Sequence, residues 1–185
     1  MVEFLHTTDK AKTILYSITN FYSMQRGLFV GRFQPFHKAH LEVIKKVQKK
    51  TGELLIVIGS AQEYRTKENP LSADERKEMI NEVLKSEKIK NSKIFTLNDI
   101  NSDDNWVAHV EKHVPKFDAV YSGNPRVVNL FRKAGYRVKE IEMIEGINAT
   151  KIRENIIAGK EWENLVPDCV RKFLWEKKLV EVIKK

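Results

Sequence analysis

Two rhythms of apolar residues alternate along most of this chain. Residues 27–30 and 54–58 are short apolar runs, the length of strands buried on both faces and hence parallel. Between them Leu41, Val43, Ile44 and Val47 recur at helical spacing, with Lys and Gln filling the gaps, and Gly52 stands as the expected C-cap of a helix over 38–50. The alternation continues. Ser72 and Glu75 form a capping box for a helix running to about residue 85, followed by a strand over 94–97 and a helix holding Trp106, Val107 and Val110. A strand over 118–121 leads into a helix with Val127, Val128, Leu130 and Phe131, ended by Gly135, and a strand over 136–141 follows. Beyond residue 141 the pattern is helical only, over 148–158 and 167–177, with Gly159 between. Strands alternating with helices predict an α/β fold with an open parallel sheet and right-handed crossovers.

The polar clusters fall after the strands. They are Arg32 to His40, Ser60 to Gln62, Asp99 to Trp106, and Ser122 to Asn124. In a parallel sheet those ends share one edge, where ligands of open α/β sheets bind. The first cluster, Gly-Arg-Phe-Gln-Pro-Phe-His-Lys-Ala-His over 31–40, is a strand-to-helix turn. His37 and His40 lie three apart, close together at the helix N-terminus, where free N–H groups and the dipole favour an anion. With Arg32 and Lys38 beside them, the cluster suits phosphate. Asn148 is a candidate N-cap for a second such helix start, carrying Thr150, Lys151 and Arg153 in its first turns. Neither the P-loop pattern nor the dinucleotide fingerprint is present, and no carboxylate completes a metal set with the two histidines.

Bulk properties narrow the picture further. The chain of 185 residues is one domain by length, and 42% hydrophobic with 31% charged residues fits a soluble globular protein. No apolar run is long enough to span a bilayer, and one cysteine, Cys169, fits a reducing cytoplasm. A net charge of +8 admits nucleic acid, an anionic membrane or a polyphosphate ligand. The lysines mix with glutamate on helix faces, and no basic helix with interleaved aromatics stands out. We therefore expect neither a nucleic-acid nor a membrane partner. Residues 1–24 lack the features of a signal peptide. They read as an N-terminal extension with a candidate edge strand over 13–18, or the true start is Met24; residues 25–185 are the folded domain.

The motif over 31–40 resembles the His-x-Gly-His signature of the nucleotidylyltransferase superfamily. Its Arg32 and Gln34 context resembles the nicotinamide mononucleotide (NMN) adenylyltransferases of the archaeal type. The likeness runs from about Gln25 to Val170. Ala39 and Ala149 stand where the family carries glycine, and Asn148 where it carries serine. The resemblance implies a Rossmann-like sheet of about five strands in the order 3-2-1-4-5, helices on both faces, and a helical C-terminus. It implies AMP transfer from ATP to NMN, giving NAD+ and pyrophosphate, with Mg2+ bridging ATP oxygens rather than held by a protein metal site. His37, His40, Arg32 and Arg153 are the implied catalytic residues. Gly31, Phe33, Gln34, Lys38, Asn124, Asn148 and Thr150 would bind ATP. Ser60, Ile100, Asp103 and Trp106 would take NMN, with Trp106 either a wall for the pyridinium ring or a plain core residue. A homo-oligomer in the cytoplasm is the expected state. The rival readings are transfer to another phosphate acceptor, such as riboflavin phosphate or phosphopantetheine, and a nucleotide sensor without turnover.

Overall fold

The computed structural model describes residues 25–141 and 144–185; the extension over 1–24, with its candidate strand, lies outside the described residues. Five parallel strands form the sheet: β1 (Arg26–Gly31), β2 (Glu53–Ile58), β3 (Ser92–Thr96), β4 (Ala119–Ser122) and β5 (Val138–Glu140). Their order is β3-β2-β1-β4-β5, as expected. β1 is central because its residues are apolar on both faces. Leu28 and Val30 join Leu55 and Val57 in one core, while Phe29 joins Leu54, Ile56 and Ile58 in the other. Each such fully buried side chain contributes about 1.5–3 kcal/mol.

The helices divide between those faces. Against Phe29 pack α1 (Lys38–Gln48), α2 (Ala73–Ser86), α5 (Ala149–Ile157), α6 (Asp168–Glu176) and α7 (Leu179–Ile183). Against Leu28 pack α3 (Asp103–His113) and α4 (Pro125–Lys133). Local chemistry sets the ends. Ser72 Oγ accepts from the Glu75 N–H at 3.2 Å and the Glu75 carboxylate accepts from the Ser72 N–H at 2.7 Å, completing the capping box of α2. Gly135, at φ +83°, lets the chain leave α4, and the Tyr136 N–H reaches back to the Phe131 carbonyl.

Three expected boundaries shift. α1 ends at Gln48 rather than at 50, with Lys49 and not Gly52 as its C-cap: the Thr51 hydroxyl donates to the Val47 carbonyl at 3.1 Å, and the Gly52 N–H donates to the Gln25 carbonyl to begin β2. β3 starts earlier than 94 because its pairing with β2 extends to Ser92. β5 is shorter than 136–141: only Val138 to Glu140 stand in ladder register with β4, while Arg137 and Ile141 each share a single backbone hydrogen bond with it.

Candidate active site

β1 delivers its last residue, Gly31, to the sheet edge, and the turn to α1 folds back tightly. A Cβ at position 31 would lie 2.8 Å from the Phe33 ring, so only glycine fits beneath it. Phe33 itself sits at φ +53°, in the left-handed region, and is 1% exposed. Its ring stacks on Phe36 at 5.8 Å and meets His40 edge-on at 4.7 Å. Phe29 and Phe36 also pack against His40, so an aromatic shelf fixes the imidazole.

His37 is the N-cap of α1, and its ring stacks on His40 with centroids 3.6 Å apart. The His37 backbone N–H donates to His40 Nδ1 at 3.3 Å, which leaves the His40 proton on Nε2. Burial pushes the His37 imidazole down to about 4, and its Nδ1 is buried without a partner among the described residues. Burial and the adjacent His37 hold His40 well below the usual histidine range. Both rings are therefore neutral near pH 7, one stacked on the other.

These residues line a cleft of about 360 Å³ together with Ser122, Gly123, Asn124, Asn148, Thr150 and Arg153. Among the described residues no carboxylate lines it. The N-termini of α1, α4 and α5 all open onto it, so three positive dipole ends face one volume. Asn124 and Asn148 cap α4 and α5 by accepting from the N–H groups of Arg126 (2.9 Å) and Lys151 (2.8 Å). Arg32 is exposed at the rim. Arg153 is 9% exposed and reaches across the cleft wall. It donates to the carbonyls of Gln34 (2.8 Å) and Lys67 (3.1 Å), with Thr150 Oγ1 at 3.4 Å.

Arg76 adds a third guanidinium, which local sequence presents only as a helix brace. It is fully buried and donates to the carbonyls of Arg32, Gly59, Ser60 and Ser72 at 2.9–3.1 Å, and to Glu63 at 3.5 Å. Burial and the neighbouring Arg32 lower it to about 10, so it stays charged at pH 7. Burial and Arg32 lower Arg153 as well. Mutual repulsion among these cations is relieved by a polyanion.

The structure gathers Gly31, Arg32, Phe33, Gln34, His37, His40, Asn124, Asn148, Thr150 and Arg153 on the cleft, with Ala39 and Ala149 in its lining. The Gln34 side chain is already used: its amide donates to the Leu71 carbonyl at 2.7 Å and accepts from the Leu71 N–H at 2.9 Å. Lys38 is exposed and borders a neighbouring groove with Glu42 and Asp168. Arg65 is bound to both Glu75 oxygens. Ser60, Ile100, Asp103 and Trp106 lie outside the cleft lining, at the same strand-end edge. Ser60 donates to Asp99 at 2.5 Å, and Asp103 pairs with Arg126 at 2.6 Å. Ile100 packs on the α3–α4 core, and Trp106, 3% exposed, lies inside it.

The depressed His37 has a measurable consequence. Its folded value near 4 lies below the ordinary 6.5, so the unfolded chain binds the proton more readily. The stability it supports is complete above pH 6.5 and is lost as pH falls toward 4. Denaturant titration of the free protein should show about 2 kcal/mol less stability at pH 5 than at pH 7 from this group. The His37→Gln variant should lose that part of the slope. An unchanged slope in the variant refutes the assignment.

Comparison with known proteins places this geometry. Residues 28–155 match the cytidylyltransferase-like family. The nicotinamide-nucleotide adenylyltransferase of Thermoplasma acidophilum is 44% identical over 154 residues, covering 82% of this chain and 86% of that protein. That of Pyrococcus furiosus is 42% identical over 166 residues, covering 87% and 88%. Among solved structures, the bifunctional NMN adenylyltransferase/ADP-ribose pyrophosphatase of Francisella tularensis aligns with a TM-score of 0.73 at 22% identity, a likeness of fold. The alignment covers 87% of this chain and 52% of that one, so this chain spans about half its length. A second structure of the Francisella protein, TM-score 0.66, holds AMP and a manganese ion. The chain belongs to the cytidylyltransferase-like family and, within it, to the nicotinamide-nucleotide adenylyltransferases.

Proposed function

We propose that the cleft at the head of α1 transfers AMP from ATP to NMN, releasing pyrophosphate and forming NAD+. The observation that carries this reading is the stacked His37–His40 pair, which shares one cleft with Arg32, Arg153 and three helix N-termini. A 5′-phosphate oxygen of NMN attacks the α-phosphorus of ATP. The new P–O bond forms as the bond to the bridging oxygen breaks, and the electron pair leaves with pyrophosphate. The nucleophile has a second pKa of about 6 and is already ionised, so no general base is required. Catalysis is then positioning and charge stabilisation. His40 Nε2–H and the His37 ring donate to the phosphates, Arg32 and Arg153 hold them, and the Phe33 shelf keeps His40 aimed.

Family members generally use a divalent cation. Here the cleft lining offers it no carboxylate, and among the described residues no group of three His, Cys, Asp or Glu is placed to grip one. Mg2+ would accompany the phosphates of ATP, and no step is assigned to it. Among the described residues no helix is long and apolar enough to cross a membrane.

Pyrophosphate release tests the reading directly. ATP and Mg2+ with NMN should release it, and riboflavin phosphate should not. Release only with riboflavin phosphate overturns the acceptor, and ATP binding without release in any mixture overturns the enzyme. Trp106 would carry the pyridinium ring, with Asp103 beside its carboxamide. A carboxylate accepts from an amide and repels an acid, by about 1 kcal/mol at contact in water. Asp103→Asn should therefore raise kcat/KM for nicotinate mononucleotide about fivefold relative to NMN. An unchanged ratio would remove Asp103 from the acceptor site.

A further inference from the structure

Trp106 presents a contradiction for the acceptor site. Its ring is 3% exposed, and its indole N–H is buried without a partner among the described residues. Within its core cluster, an aromatic ring and a guanidinium meet the indole. Phe131 meets it edge-on at 5.7 Å and is itself fully buried core. The other is the Arg126 guanidinium, 5.8 Å from the ring centroid. Arg126 is half-exposed and held by Asp103, through Nε at 3.1 Å and Nη2 at 2.6 Å. Asp103 and Arg126 stand in the first turns of α3 and α4, so their ion pair bridges those helices at the strand-end edge. A flat cation on an indole face is the chemistry a pyridinium ring would use there.

We propose that Arg126 determines acceptor specificity. In the free protein it occupies the pyridinium place on Trp106, and once displaced it is the partner that admits a carboxylate on that ring. The proposal rests on the NMN-adenylylating function proposed above. Displacement is cheap, because an exposed ion pair and one exposed cation–π contact are each weak. The two acceptors then part company. For NMN the swing is a pure cost, since the neutral amide gives the released guanidinium little in return. For nicotinate mononucleotide the carboxylate takes the guanidinium that Asp103 gives up, in a charge-assisted, bidentate contact. Removing the guanidinium therefore helps one acceptor and harms the other.

The experiment compares wild type with Arg126→Ala and Arg126→Lys, using ATP, Mg2+ and each mononucleotide in turn. In Arg126→Ala, KM for NMN should fall about twofold to fivefold and KM for nicotinate mononucleotide should rise about fivefold or more. KM for ATP should not move, which reports an intact fold. Arg126→Lys, which keeps the charge but not the fork, should fall between. A ratio of the two KM values within twofold of wild type in Arg126→Ala, or a shift in the opposite sense, overturns the proposal. A readout independent of turnover is tryptophan quenching by 1-methylnicotinamide, a pyridinium without ribose or phosphate. It should be stronger in Arg126→Ala than in wild type, with the difference abolished by Trp106→Phe. Wild type inactive with both mononucleotides refutes the proposed function. Equal quenching in wild type and Arg126→Ala refutes the proposed place of Arg126 on Trp106.

Discussion

Replacing His40 by alanine is expected to lower kcat by about 10²–10³-fold while KM for ATP changes only a few-fold. The asymmetry follows from where the imidazole sits. In the proposed reading, ATP in its ground state would be held by many groups: the three helix N-termini that open onto the cleft, Arg32 at the rim and Arg153 across the cleft wall. Losing one neutral donor subtracts little from that sum. In the transition state, negative charge grows on the oxygens around the α-phosphorus and on the leaving pyrophosphate. A donor aimed there in advance, with no reorganisation, then contributes most. His40 is aimed in advance: the His37 backbone N–H fixes its tautomer, and Phe29, Phe33 and Phe36 fix its ring. Alanine also leaves a gap among those aromatic rings, so His40→Gln is the companion variant, keeping volume and an N–H while losing the imidazole geometry. It should recover part of the rate. Steady-state kinetics with pyrophosphate detection measure both variants. A His40→Ala enzyme within tenfold of wild-type kcat would remove His40 from the chemistry.

Much of this arrangement is local and therefore visible in the chain itself. Buried strands, the Ser72–Glu75 capping box, the Asn148 cap and the histidine spacing each depend on residues within a few positions of one another. Their convergence follows from one topological fact, that parallel strands share a carboxyl edge. What stayed illegible depends on partners far along the chain. Gln34 has the look of a ligand contact, yet it spends its amide on Leu71. Lys38 follows His37 directly, yet its helical position turns it toward another groove. Arg126 follows an Asn-Pro helix start like any surface cation, and only the packing of α3 against α4 sets it over Trp106. Gly31 stands in the turn motif of the sequence, but what demands glycine there, the Phe33 ring folded over it, needs the turn itself.

Arg76→Met is expected to destabilise the protein by about 3–5 kcal/mol, and to impair ATP use in whatever fraction still folds. Methionine matches the stem of arginine and nothing else. The guanidinium donates to five carbonyls, those of Arg32, Gly59, Ser60, Glu63 and Ser72, with no carboxylate among these partners. Buried carbonyls left without a donor each cost about 1–3 kcal/mol before relaxation. The segments the guanidinium holds are strained as well. Phe33 follows Arg32 at φ +53°, and Ser60 sits at φ +49°, conformations costing of order 1–3 kcal/mol that persist only where surroundings over-determine them. Arg76 ties the turn after β1 to the turn after β2 and to the start of α2. Without it those turns can relax, and Arg32 and the Phe33 shelf under His40 move with them. Arg76→Lys separates charge from geometry, since an ammonium restores a cation but serves at most three of the five acceptors. Its loss of stability should be intermediate. Denaturant titration at pH 7 measures the free energies, and KM for ATP follows the site. If Arg76→Met unfolds within about 1 kcal/mol of wild type, the five-carbonyl brace is not what holds these turns.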